Sequence, residues 1–123
     1  MPEKKIEQQL TFFYTKDLLA TSQFYKDVLG LELVRDQGSC RIYRIGRDGY
    51  IGFCERAVKA DKSGLIITFV VEDVDAWAKE LVGHGVELEK EPAHNQTYGI
   101  YHCFFRDPNG YLLEIQKFDI PLI

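Results

Sequence analysis

What this 123-residue chain has little of narrows its roles before any motif is read. It has three cysteines, Cys40, Cys54 and Cys103, an odd number with no Cys-x-x-Cys pair among them. Neither a disulfide framework nor a zinc knuckle is therefore expected, and a reducing cytoplasm is the expected setting. It is short of positive charge: 15 Lys and Arg stand against 19 Asp and Glu, a net −4. Nucleic-acid binding wants a basic patch, so no nucleic-acid partner is expected, and the balance suits cationic or neutral ligands better than anionic ones. Long apolar runs are missing too. The longest, residues 65–71, is interrupted by Thr68 and is far too short to span a bilayer. The first nine residues, Met-Pro-Glu-Lys-Lys-Ile-Glu-Gln-Gln, lack the apolar core of a signal peptide, so no membrane partner is expected.

What the chain does have is an internal repeat. Asp17-Leu18 opens an apolar-periodic stretch that closes on Gly30-Leu31-Glu32-Leu33, and Asp73-Val74 opens another that closes on Gly85-Val86-Glu87-Leu88. The two stretches are 56 positions apart at their opening aspartates and 55 at their closing glycines, so one residue is dropped between them. Asp48-Gly49-Tyr50-Ile51 is echoed by Asn109-Gly110-Tyr111-Leu112 at an offset of 61. Two similar halves can form a pseudo-two-fold structure with a concave seam suited to a ligand. With 46% hydrophobic and 28% charged residues the composition is that of one ordinary globular domain, residues 1–123.

Each half reads β-α-β-β-β. Residues 6–15 form a strand rich in β-favouring side chains, Asp17 caps a helix bearing Leu18, Tyr25, Val28 and Leu29, and Gly30 stops it. A short strand (31–35), a turn (36–39) and a hairpin (40–45 and 50–54) complete module one, residues 6–56. A charged linker, 56–64, leads to module two, residues 64–118. There a strand (65–71), a helix capped by Asp73 with Val74, Trp77, Ala78 and Leu81 on one face, and a short strand (86–88) repeat the order. Residues 89–97 read as a polar loop containing Pro92, long enough to serve as a lid. The closing hairpin is 98–105 and 111–117, with Asp107-Pro108-Asn109-Gly110 at its turn.

The stretches Phe24-Tyr25-Lys26-Asp27-Val28-Leu29-Gly30-Leu31, Val71-Glu72-Asp73-Val74-Asp75-Ala76 and Asp107-Pro108-Asn109-Gly110-Tyr111-Leu112-Leu113-Glu114 resemble signatures of the vicinal oxygen chelate superfamily. That superfamily includes glyoxalase I, bleomycin resistance proteins, fosfomycin resistance enzymes, methylmalonyl-CoA epimerase and extradiol dioxygenases. The resemblance runs over residues 10–117. It implies an α+β fold of two βαβββ modules with pseudo-two-fold symmetry, a curved mixed sheet around a cleft, and a homodimer. It is a poor guide to the reaction, since the fold hosts unrelated chemistries. Metal-using members place one ligand on each of four strands, and the matching positions here are Leu10, Phe53, Ile66 and Glu114. Three of the four have no lone pair to offer, so no metal and no cofactor is expected. A slip of one residue would put Gly52 or Cys54 in place of Phe53.

Alternation along strands, and hairpin turns counted as type I with a glycine bulge, sketch the cleft. The count opposes Phe104 with Glu114, His102 with Gln116, Tyr43 with Phe53 and Arg41 with Glu55. The expected face has an aromatic floor of Phe12, Tyr43, Phe53 and Phe104, with Arg41, Glu55, Thr68, His102, Glu114 and Gln116 as its polar groups. Glu114 is open to three readings: an acid tied up beside its strand, a group that holds an amine or hydroxyl of a ligand, or a metal ligand that recruits others. His102 is either a hydrogen-bonded core residue or, with Glu114, half of a general-base pair. His84 sits at a helix terminus and His94 is expected to be exposed. The resulting expectation is a small-molecule binding protein that sequesters an aromatic or cationic ligand. The alternative is an enzyme of the same superfamily, a lyase, isomerase or dioxygenase, using a non-standard metal site or Glu114/His102 acid–base chemistry.

Overall fold

The computed structural model describes residues 4–57, 59 and 61–123. Met1 to Glu3, read above for a leader, and Val58 and Ala60, inside the predicted linker, lie outside the described residues. The chain divides into two units, residues 1–60 and 61–123.

In the first unit β1 (Gln9–Thr15) leads to α1 (Leu18–Gln23), which runs on as a π-helical turn, Phe24–Val28. β2 (Glu32–Asp36), β3 (Cys40–Ile45) and β4 (Gly49–Glu55) follow. The sheet order is β1-β4-β3-β2, with β1 parallel to β4 and the other pairs antiparallel. The second unit repeats this with β5 (Ile66–Val70), α2 (Val74–Gly83), β6 (Leu88–Asn95), β7 (Ile100–Arg106) and β8 (Leu112–Phe118), in the order β5-β8-β7-β6. The architecture is α+β, two βαβββ modules, as the repeat implied.

The local causes are those read in the sequence. Asp17 and Asp73 each cap a helix by accepting from the amide three residues on, Ala20 and Ala76, at 3.0 Å. The carboxylate of Glu55 takes a further amide at the start of α1, that of Leu18, at 3.0 Å. Gly30 and Gly85 end the helical segments at φ 70° and 85°, a region that only glycine enters freely.

Each sheet packs one face against its own helix. In the first unit Tyr25 of the π-helical turn lies 4.6 Å, ring to ring, from Phe53 on β4, and Ser22 is hydrogen-bonded to the Tyr43 hydroxyl on β3. Arg41, Tyr43, Ile51, Phe53 and Glu55 therefore occupy the helix-packed face. In the second unit the Tyr101 hydroxyl donates to Asp75 of α2 at 2.6 Å, and Cys103, Phe105, Leu113 and Ile115 lie on that same face, fully buried. In the regularly paired strands β1, β3, β4, β5, β7 and β8 the alternate residues occupy the opposite, helix-free face.

Three expectations need correction. Residues 89–97 are not a polar lid: most of them belong to β6, an edge strand whose pairing with β7 is irregular around Lys90 and Ala93. Pro92 falls in that irregularity, where no ladder amide is needed. Next, Cys40 and Cys54 are joined by a disulfide across β3 and β4, their Cα atoms 4.0 Å apart. The turn count had opposed Tyr43 with Phe53, which sets Cys54 against Ile42, whereas the actual register opposes Tyr43 with Ile51 and Cys40 with Cys54. Finally, the echo at offset 61 does not mark equivalent positions. Gly110 takes positive φ (88°) late in its turn, whereas the first hairpin places positive φ at Gly46 (60°) and Gly49 already lies in β4.

Candidate functional site

The strand register fixes what occupies the helix-free face of the second sheet. On β8 this face presents Leu112, Glu114 and Gln116, opposite Ile66, Thr68 and Val70 of β5 on one side and Arg106, Phe104 and His102 of β7 on the other. Alternation places these side chains together because residues paired across a ladder share a face.

At its centre is Glu114, only 6% exposed. A buried carboxylate must be hydrogen-bonded or lose its charge. Here Thr68 donates its hydroxyl to Oε1 at 2.7 Å, and His102 meets Oε2 through Nδ1 at 2.6 Å. With its amide nitrogen turned inward, Gln116 donates to Oε1 at 2.8 Å and to Oε2 at 3.1 Å. An ionised carboxylate only accepts, so an ionised Glu114 pairs with an imidazole that carries a proton on Nδ1.

In the neutral ring with its proton on Nδ1, the other imidazole nitrogen keeps a lone pair. His102 is 3% exposed, and its Nε2 is buried with no hydrogen-bond partner among the described residues. The Phe104 ring stands edge-on to the imidazole, centroids 5.0 Å apart, and fixes its plane. A buried acceptor without a donor costs about 1–3 kcal/mol. Here it is part of an otherwise fully satisfied cluster.

Of the residues expected in the site, Thr68, His102, Phe104, Glu114 and Gln116 come together on this face. Phe12 lies on the helix-free face of the first sheet, beside Gly52, whose missing side chain leaves room for the Phe12 ring. Arg41, Tyr43, Phe53 and Glu55 do not face a site at all. Tyr43 and Phe53 are fully buried in the aromatic cluster beneath the π-helical turn. Arg41 pairs with Asp36 at 3.4 Å, and Glu55 helps cap α1. The error came from the echo at offset 61. With Phe12 opposite Gly52 and Thr68 opposite Glu114, the structural counterpart of Glu114 is Gly52, at an offset of 62. By the same correspondence Cys40 and Cys54 occupy the positions of His102 and Gln116.

The four metal-ligand positions thus become Leu10, Gly52, Ile66 and Glu114. The first three have no donor atom on their side chains, and both oxygens of the fourth are already engaged. Among the described residues no group of three or more His, Cys, Asp or Glu is placed to hold a metal ion. These residues do not fit a family-type divalent site. On the opposite face Cys103 is sequestered: burial, and to a lesser extent the charge of Glu114, push its thiol up to about 11. His94 pairs with Asp119 at 2.7 Å, on the exposed end of β6.

Comparison with known proteins agrees with this architecture. The profile of the glyoxalase/bleomycin resistance protein/dioxygenase superfamily matches residues 8–115. An uncharacterised protein of Bacillus subtilis (strain 168), YraH, is 29% identical over 115 residues, spanning 82% of this chain and 90% of its own. An integron cassette protein from the mobile metagenome of a Halifax Harbour sewage outfall superimposes with a TM-score of 0.79 at 25% identity, covering 89% of this chain and 97% of its own. A lactoylglutathione lyase from Agrobacterium tumefaciens superimposes at 0.72, also at 25% identity, covering 95% and 96%. No helix among the described residues is long and apolar enough to cross a membrane.

Proposed function

We propose that this chain, which belongs to the glyoxalase/bleomycin resistance protein/dioxygenase superfamily, binds a small organic molecule and moves a proton on it without a family-type metal. The observation that carries this reading is the buried, unpartnered Nε2 of His102 on a ring whose Nδ1 meets Glu114 at 2.6 Å; with the proton on Nδ1 of the neutral ring, Nε2 is an acceptor. In this reading His102 is the general base. Glu114 does not touch the substrate. It fixes the tautomer and stabilises the imidazolium that forms when Nε2 takes a proton. Thr68 and Gln116 hold Glu114 in turn.

Pure sequestration, the first expectation from sequence, is less well supported. It relied on an aromatic floor from which Tyr43 and Phe53 are now removed. It also relied on Glu114 being free to meet a ligand's cation, and its oxygens are occupied. A proton donor on the ligand, a hydroxyl or an acidic C–H, is the group that Nε2 accepts.

Two measurements test the assignment. Nitrogen-detected NMR of the imidazole should show His102 as the Nδ1–H tautomer. Glu114→Gln should convert it to Nε2–H, because an amide can present its NH2 to Nδ1. In parallel, a panel of small hydroxyketones and thioesters incubated in D2O should show α-proton exchange above background. His102→Gln should abolish that exchange, and Glu114→Gln should lower it by roughly 10²–10⁴-fold. An Nε2–H tautomer in the parent protein, or exchange unaltered in both variants, would exclude His102 as the base.

A further inference from the structure

We propose that the helix-free face of the first sheet is a binding site for a small organic anion, a carboxylate on an apolar body. The site stands on observations in the first unit alone and does not rest on the role given to His102. A cavity of about 320 Å³ lies on this face, walled by Leu10 of β1, Val34 and Arg35 of β2, and Ile42 and Arg44 of β3. Tyr50 of β4 completes it, its hydroxyl accepting from Gln8 Nε2 at 3.0 Å.

The register explains why these side chains converge. Arg44 stands opposite Tyr50, which stands opposite Leu10. Arg35 stands opposite Ile42 in the next row. An irregularity in β2 between Leu33 and Arg35 turns the Arg35 side chain onto the same face as Arg44. The result is two guanidinium groups at the rim of an apolar trough.

The charge balance in the trough is the opposite of that in the whole chain. Its lining holds two cations and no carboxylate. The Arg44 side chain is hydrogen-bonded to the Tyr50 hydroxyl within the lining, and Glu32, across the ladder, and Asp48 also act on its charge, but neither acid lines the cavity. Arg35 has no ion-pair partner among the described residues. Guanidinium forks match the planar geometry of a carboxylate, and the Tyr50 hydroxyl offers a further donor. Leu10, Val34 and Ile42 give the apolar body a surface to cover. The volume, about 320 Å³, is at the small end of ligand sites and suits a small molecule.

The probe is 4-phenylbutyrate, with 4-phenylbutyramide as its uncharged counterpart, titrated calorimetrically into the full chain. The acid should bind saturably, and the amide should bind at least about tenfold more weakly, because it forfeits the charge-assisted bonds. Arg35→Gln and Arg44→Gln should each weaken the acid by about fivefold while leaving the melting temperature in place, since both side chains are exposed. Added salt should weaken binding further. Equal affinity for acid and amide, undiminished binding in the Arg35→Gln/Arg44→Gln double variant, or no saturable binding would overturn the proposal. So would complete displacement by equimolar inorganic phosphate, which would show that charge alone is recognised.

Discussion

Replacing Phe53 by alanine separates a core position from a ligand-lining one. Family correspondence by sequence puts Phe53 at a ligand position, and the structure puts it in the core. Phe53 is fully buried, its ring 4.6 Å from that of Tyr25 and 5.8 Å from that of Phe13. Neighbouring Tyr43 is tethered to Ser22, so the cluster cannot collapse freely into the space a missing ring would leave. Truncation should therefore cost close to the full large-to-small penalty of about 3–5 kcal/mol, transfer loss and cavity together. Against a typical total of about 5–15 kcal/mol that is a severe loss. Phe12→Ala is the control: it is on the same sheet but the other face, 47% exposed, and should cost about 1 kcal/mol. Urea unfolding followed by circular dichroism reads both, as a lower midpoint at unchanged slope. A Phe53→Ala variant no less stable than Phe12→Ala would refute the face assignment, and with it the removal of Tyr43 and Phe53 from the site.

Three further outcomes are expected. Protein purified without reductant and then unfolded should titrate one thiol, Cys103, rather than three, and reduction should lower its stability by about 3 kcal/mol, the value for a closed loop of this length; three free thiols would remove the Cys40–Cys54 bond. Cys103, with its thiol pushed up to about 11, should resist alkylation in the native protein at neutral pH. Because the native state holds that proton more tightly than the unfolded chain, the Cys103 contribution to stability is complete below about pH 9 and is lost as pH rises through 11. A homodimer is proposed from the edge strands β2 and β6, each with one side unpaired in its own sheet; light scattering should give twice the chain mass of 14.2 kDa, and a monomer at micromolar concentration would exclude it.

The fold was legible because its signals are local and repeated. Asp17 and Asp73 are caps, Gly30 and Gly85 are stops, and the apolar period between them is helical. In the second half the strand register behind the candidate site was legible as well, because Asp107 and Gly110 specify a turn whose count correctly opposes Phe104 with Glu114 and His102 with Gln116. The first half misled because Gly49, which looks like Gly110, does not turn the chain. A displacement of one position in correspondence exchanged the two faces of β4, and every side chain assigned from Phe53 went to the wrong side. The disulfide was hidden for the same reason: no spacing rule pairs cysteines 14 residues apart, and only the register brings them opposite. The unpartnered Nε2 of His102 has no sequence signal, since it depends on Thr68, Glu114 and Gln116 all meeting at one point.

The π-helical turn accounts for an arithmetic oddity in the repeat. From Asp17 to Gly30 the first copy is one residue longer than the second from Asp73 to Gly85. In the first copy Leu29 donates its amide to the carbonyl of Phe24, five residues back, at 3.1 Å, so this turn houses more residues than an α-helical one. The extra residue is absorbed inside the helix and is not passed on to the strands at either end. Both modules thus keep the same strand order and pairing sense, and a change in chain length that would have inverted a sheet had it fallen in a strand is spent instead on a wider turn, from which Tyr25 reaches Phe53.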